Sequence, residues 1–167
     1  DNFNINKRCQ MSIKFKDRDN NDVLLKFKEE NDFADATHVL TIPIYTNKLL
    51  FTQHKKRGIE FPGGKVEVNE TSQEAAIREL HEETGATVKE MHYIAQYHVA
   101  RSDLPSFNKD VYVVLVDFIE EKEDYLETTG PVLFATIEEI PDTDKSFLLK
   151  DDAILSCVDR MMNLGYY

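Results

Sequence analysis

The segment TSQEAAIRELHEETG, residues 71–85, carries both the start and the stop of a helix within one short run. Thr71 and Glu74 have the spacing of a capping box, in which the threonine hydroxyl and the glutamate carboxylate each take up a free backbone N–H of the first turn. Gly85 supplies the left-handed residue at which such a helix stops. Between these ends, Ala76, Ile77, Leu80 and Thr84 offer a side able to pack on a core, while Glu79, Glu82 and Glu83 gather three and four residues apart. A helix of this kind has to lie against other structure through its apolar side, which fixes the direction in which its carboxylates point.

Carboxylates at that spacing repel one another. Arg78 can pair with Glu74 or Glu82, but one arginine cannot neutralise so many acids. A solvated acidic face is the simplest reading. The residues before the helix favour another. Gly63 and Gly64 allow close backbone approach, and a bare carbonyl of this turn can act as another hard oxygen ligand. An all-oxygen set of this type suits Mg²⁺ or Mn²⁺, which take few carboxylates and leave positions for water and substrate phosphates.

Along the rest of the chain, alternation over 12–30 predicts two short strands joined by a turn at DRDNND, and 36–56 two more joined at Thr46-Asn47. Segments 87–100, 109–121 and 130–137 read as strands, and 145–165 as one terminal amphipathic helix. The order of elements implies an α/β/α sandwich with a mixed β-sheet. Residues 1–10, which precede Met11, read as an extension or tail, and 11–167 as a single domain. Two cysteines, Cys9 and Cys157, are too few for a disulfide framework or a cysteine zinc site. The apolar runs fall short of the roughly 20 residues of a membrane span, so a soluble cytoplasmic protein is expected. A net charge of −11 argues against stable binding of duplex nucleic acid through a basic surface. It leaves room for a phosphorylated ligand delivered with cations, which invert the local field.

Gly64, five residues, Glu70, seven residues, then RELHEETGA fills every specified position of the Nudix box, with Ala86 as its final small apolar residue. The chain therefore resembles the Nudix hydrolases, which cleave nucleoside diphosphates linked to another group with divalent cations. That resemblance implies Glu79, Glu82 and Glu83 as metal ligands, with Gly63 as a further donor. It also implies Arg78 as the arginine orienting the glutamates, Glu70 as loop support, and Gly64 and Gly85 as structural. A further acid is expected from outside the box, the candidates being Asp117, Glu120 and Glu121. The proton acceptor is left open among Glu82, Glu83 and Glu127.

Outside the box, RGIEFPGGKVE (57–67), YLETTGPVLF (125–134) and KSFLLKDDAIL (145–155) are similar to MutT-like nucleoside triphosphatases of the YtkD type. This implies hydrolysis of nucleoside triphosphates, oxidised guanine nucleotides included, or of triphosphorylated RNA 5′ ends. ADP-ribose hydrolysis, dinucleoside polyphosphate hydrolysis and a non-catalytic nucleotide-binding domain are the alternatives. Arg57, Glu60, Phe61 and Lys65 are the candidate substrate-binding residues. Phe51, Phe61, Phe107 and Phe134 offer either a surface for a base or core packing. Lys55, Lys56 and Arg57 form a basic cluster that serves either phosphates or a solvated strand end.

Overall fold

The computed structural model describes residues 12–167, so the tail expected over 1–10, with Cys9, lies outside the described residues. The first hairpin, β1 (Ser12–Lys16) and β2 (Asp22–Phe27), turns through 17–21. There the Asp17 carboxylate accepts from the backbone N–H of Asp19 and Asn21. In the second, β3 (His38–Tyr45) and β4 (Lys48–His54), Thr46 and Asn47 both take positive φ (50° and 61°). Two such residues match the right-handed twist of the strands they join.

Short strands β5 (Gly58–Glu60) and β6 (Gly63–Lys65) flank Phe61-Pro62 and lead to helix α1 (Ser72–Thr84). Long strands β7 (Ala86–Ala100) and β8 (Phe107–Ile119) follow, then β9 (Thr128–Phe134) and helix α2 (Asp152–Asn163). The strands form one nine-stranded sheet in the order β1-β2-β7-β8-β3-β4-β5, with β6 added to β3 and β9 to β4. Only β3 and β8 run parallel among the strand pairs of the described residues, which makes the sheet mixed.

Two apolar cores lie on the two faces of the sheet. Ala75, Ala76 and Leu80 of α1 pack with Val39, Tyr112 and Val114, whereas Ile154, Cys157 and Met161 of α2 pack with Leu25, Ile42 and Ile94. This is the expected α/β/α sandwich. Ile77, expected on the packing side of α1, is instead half exposed, and Ala75 takes the core position. The terminal helix is also shorter than its apolar spacing suggests. Phe147–Lys150 forms a separate 3-10 turn capped by Ser146, and Asp151, extended at ψ 123°, caps α2 through the Ala153 N–H. Two competing caps, each satisfying free N–H groups, divide what periodicity alone joins.

Helix α1 is fixed at both ends. At its start the capping box is complete, and the Ser72 hydroxyl donates 2.7 Å to Asp110. Asp110 is wholly buried yet accepts from Ser72, Tyr93, Gln96 and the Ala36 N–H, so its charge is met by four donors. At the other end Thr52 and Thr128 donate their hydroxyls to the Glu83 carbonyl, and Lys122 donates to those of His81 and Glu82. Gly85 then takes φ 77°, where an added Cβ would strike the Glu120 carbonyl.

Candidate active site

The exposed side of α1 carries a network centred on Arg78. Its guanidinium donates to Glu70 at 2.7 and 2.9 Å, to Glu79 at 2.9 Å, to Glu82 at 3.3 Å and to the Lys65 carbonyl at 3.0 Å. Glu70 in turn accepts from the Glu67 N–H, which closes the loop that precedes the helix. The Arg78 bonds hold the Glu70 carboxyl down at about 2. Arg78 thus joins the residue expected to brace the loop to two of the expected metal ligands. The pairing of Arg78 with Glu74 does not form, because Glu74 is occupied by the cap.

Glu83 lies one turn from Glu79, and the Glu79 carboxyl and the Gly63 backbone N–H both act on the Glu83 carboxyl, the first raising it and the second lowering it. Burial, the nearby Glu79 and the nearby Glu60 all raise the Glu83 carboxyl far above the usual carboxylate range. Burial likewise raises Glu79. The protein's own cations do not offset this density of acid, because Arg78 is already shared among four glutamates. The donors are all oxygen, the chemistry that suits a hard divalent cation.

Among the described residues no three acidic, histidine or cysteine side chains stand grouped at metal-ligand positions. The reason is visible in the rotamers: Glu79 and Glu82 are turned to Arg78. A cation would compete with one guanidinium nitrogen for both.

Gly64 shapes the same site from the loop. A Cβ at Gly64 would overlap the Glu79 carboxylate, so the bare backbone is what lets this acid lie against the loop. Gly64→Ala is expected to displace Glu79 and lower kcat by about 10², while the thermal midpoint shifts by only a few degrees. Wild-type turnover in Gly64→Ala would show that the position of Glu79 is immaterial.

The structure sorts the remaining candidates. Glu60 is buried, accepts from both Arg57 nitrogens at 3.1 and 2.7 Å and from Ser146 at 2.8 Å, and influences Glu83. Phe61 is core, buried and stacked on Phe51 at 4.7 Å, so neither ring is open to a base; Phe134 packs edge-on to Phe51. Lys65 is exposed and contributes its carbonyl to Arg78.

The acids expected from outside the box do not join the cluster. Glu120 hydrogen-bonds His81 at 2.5 Å. His81 lies about 200° around the helix from Glu79. Asp117 and Glu121 are exposed and make no hydrogen bond among the described residues. The end of β8 meets the C-terminal end of α1, where the Glu120 N–H donates to the Gly85 carbonyl. Glu127 is exposed on the loop before β9, 3.8 Å from His54.

A feature not read from the sequence is a cavity of about 530 Å³ on the α2 face of the sheet, lined by Lys16, Tyr97, Arg101, Phe107, Lys109 and Phe147 among others. Arg101 lies over the Phe107 ring at 4.9 Å and Arg18 over Phe147 at 3.6 Å. Burial lowers the Lys109 ammonium, and the nearby Glu60 and Asp151 oppose that shift. The sequence offered no distinct signal for it, because Lys109 stands between Asn108 and Asp110 at the polar start of its strand and gains meaning only from the pairing with Tyr97.

Comparison with known proteins agrees with this geometry. The NUDIX domain matches residues 35–147. YtkD of Bacillus subtilis (strain 168), provisionally named an 8-oxo-dGTP diphosphatase, is 40% identical over 155 residues, 91% of this chain and 97% of that protein. The 8-oxo-dGTP diphosphatase of Escherichia coli (strain K12) is 43% identical over 44 residues, 26% of this chain and 34% of that protein. The crystal structure of a point mutant of the Bacillus subtilis pyrophosphohydrolase BsRppH superposes with a TM-score of 0.83 at 37% identity, covering 92% of this chain and 98% of that one.

Proposed function

The chain belongs to the Nudix family, and we propose that it is a divalent-metal-dependent pyrophosphohydrolase. Its substrates are nucleoside triphosphates, including oxidised guanine nucleotides such as 8-oxo-dGTP, or triphosphorylated RNA 5′ ends, cleaved by attack of water at phosphorus. The observation that carries this reading is the crowding of the Glu79 and Glu83 carboxyls against Gly63-Gly64. The names of the relatives support the nucleotide class.

In this reading Glu79, Glu82 and Glu83, with the Gly63 carbonyl, hold Mg²⁺ or Mn²⁺. The cation, when bound, neutralises phosphate charge and acidifies water. Arg78 fixes the directions of Glu79 and Glu82, and Glu70 fixes Arg78. Glu82 and Glu83 lie within the cluster to take a proton from the attacking water, and Glu127 is the alternative on the neighbouring loop. The cavity that contains Lys109 joins aromatic faces to cationic side chains, the chemistry that receives a base and its phosphates.

A substrate panel tests the reading: GTP, 8-oxo-dGTP, ATP, ADP-ribose, a dinucleoside polyphosphate and a short triphosphorylated RNA, each with Mg²⁺, Mn²⁺ or EDTA. A triphosphate or RNA end is expected to exceed ADP-ribose and the dinucleoside polyphosphate by about tenfold or more in kcat/KM, with turnover abolished by EDTA. Good ADP-ribose turnover with inert triphosphates overturns the proposal. Nucleotide binding without hydrolysis would identify a non-catalytic domain.

A further inference from the structure

A second cavity, of about 480 Å³, opens beside the C-terminal end of α1 and is lined by His54, Lys55, Lys56, Arg57, Leu126 and Glu127. It shares no lining residue with the Lys109 cavity, and Glu60, which lines neither, is bonded to Arg57 of the second cavity and to Ser146, the residue before Phe147 of the first. On one side Glu60 bonds Arg57, and on the other its charge acts on Lys109. Glu60 also pairs across the sheet with Thr52, whose hydroxyl donates to the Glu83 carbonyl. Thr128, beside His54 on the other edge of β4, donates to the same carbonyl. The second cavity therefore borders the end of α1 that carries Glu83.

Its lining is basic. Three cations, Lys55, Lys56 and Arg57, line it in a protein of net charge −11. Arg57 is held rather than free. Nε and Nη2 bond the buried Glu60, whose second partner is the Ser146 hydroxyl, and the Arg57 side chain remains 42% exposed. One edge of the guanidinium is thus fixed to the protein, and among the described residues Nη1 makes no hydrogen bond, which leaves a second edge with the forked geometry that suits phosphate oxygens. Lys55 uses one of its three N–H groups on the Leu126 carbonyl. The acid on the rim, Glu127, is 88% exposed and reaches His54 only at 3.8 Å, so it stands in water rather than filling the cavity.

We propose that this cavity seats the phosphates distal to the attacked phosphorus, with Arg57 as the residue that reads polyphosphate length. The proposal rests on the pyrophosphohydrolase reading above and deepens it. The base and sugar lie toward Lys109, the scissile phosphorus lies at the α1 carboxylates, and the leaving phosphates lie toward Arg57. A nucleoside monophosphate has no group to place there, whereas a triphosphate and inorganic pyrophosphate do.

The test uses the full chain with the best triphosphate of the panel, and with inorganic pyrophosphate and the matching nucleoside monophosphate as inhibitors. Arg57→Gln is expected to raise the triphosphate KM and the pyrophosphate inhibition constant by about tenfold each, the loss of a charged bidentate contact. The monophosphate constant should stay within about twofold. Because Arg57→Gln leaves Glu60 without its charged partner, Lys56→Glu serves as a second variant, since Lys56 is exposed and among the described residues only its backbone is hydrogen-bonded. It should show the same selective loss. Equal losses for all three ligands, or no loss in either variant while the wild type hydrolyses triphosphates, would overturn the subsite and leave the activity standing. A wild type inert on triphosphates and active on ADP-ribose would remove the activity itself.

Discussion

Glu83→Gln is expected to lower kcat by about 10³ or more and, at the same time, to make the metal-free protein more stable. The two effects have one origin. In the fold, burial, Glu79 and Glu60 raise the Glu83 carboxyl, so folded molecules keep a proton that unfolded ones release above their ordinary value of 4.5. The folded state then binds more protons than the unfolded state, and stability falls as pH rises from about 4.5 toward the raised value. A glutamine keeps the shape and removes this penalty. In EDTA at pH 8 the variant should melt about 3–6 °C above wild type, the shift that about 1–2 kcal/mol produces in a chain of this length. The wild-type melting point should fall between pH 5 and pH 8 in EDTA and recover with Mn²⁺, because cation binding expels the retained proton. A Glu83→Gln variant that is active, or that melts below wild type in EDTA, would mean that Glu83 serves the fold and not a cation.

That trade is the reason the helix could be read so early. Thr71, Glu74 and Gly85 obey local rules of capping, and Glu79, Glu82 and Glu83 violate the local rule against clustered charge. Both signals lie within one turn or two of chain, so they survive without knowledge of the fold. The terminal helix misled for the same reason in reverse. Its apolar period runs through Asp151, and only the caps formed by Ser146 and Asp151 break it. The phenylalanines offered no local signal either way. Phe51 and Phe61 become core because β4 and β5 pair, and Phe107 becomes a cavity wall because β8 begins beside Arg101. Glu120 could not be placed from the sequence because its direction depends on which side of α1 the end of β8 follows.

Arg78→Ala tests whether the site is held by charge or by packing. The guanidinium meets Glu67, Glu70, Glu79 and Glu82 while keeping 22% of its surface exposed, so its removal leaves several carboxylates close together with no counter-charge. The expected loss of stability is about 2 kcal/mol, below that of a fully buried pair because water reaches the site and screens the repulsion. Turnover should fall by about 10², since Glu79 and Glu82 lose the group that aims them. Arg78→Lys should recover most of the stability and little of the activity. An ammonium supplies the charge, but it cannot bond Glu70, Glu79 and the Lys65 carbonyl at once with the planar fork that the arginine uses. Excess Mn²⁺ separates the two roles further. It supplies charge to the freed carboxylates and should raise the melting point of Arg78→Ala more than that of wild type, while kcat stays low. Full restoration of kcat by Mn²⁺ would show that Arg78 contributes charge alone, and that helix packing by Ala75, Ala76 and Leu80 is enough to aim the glutamates.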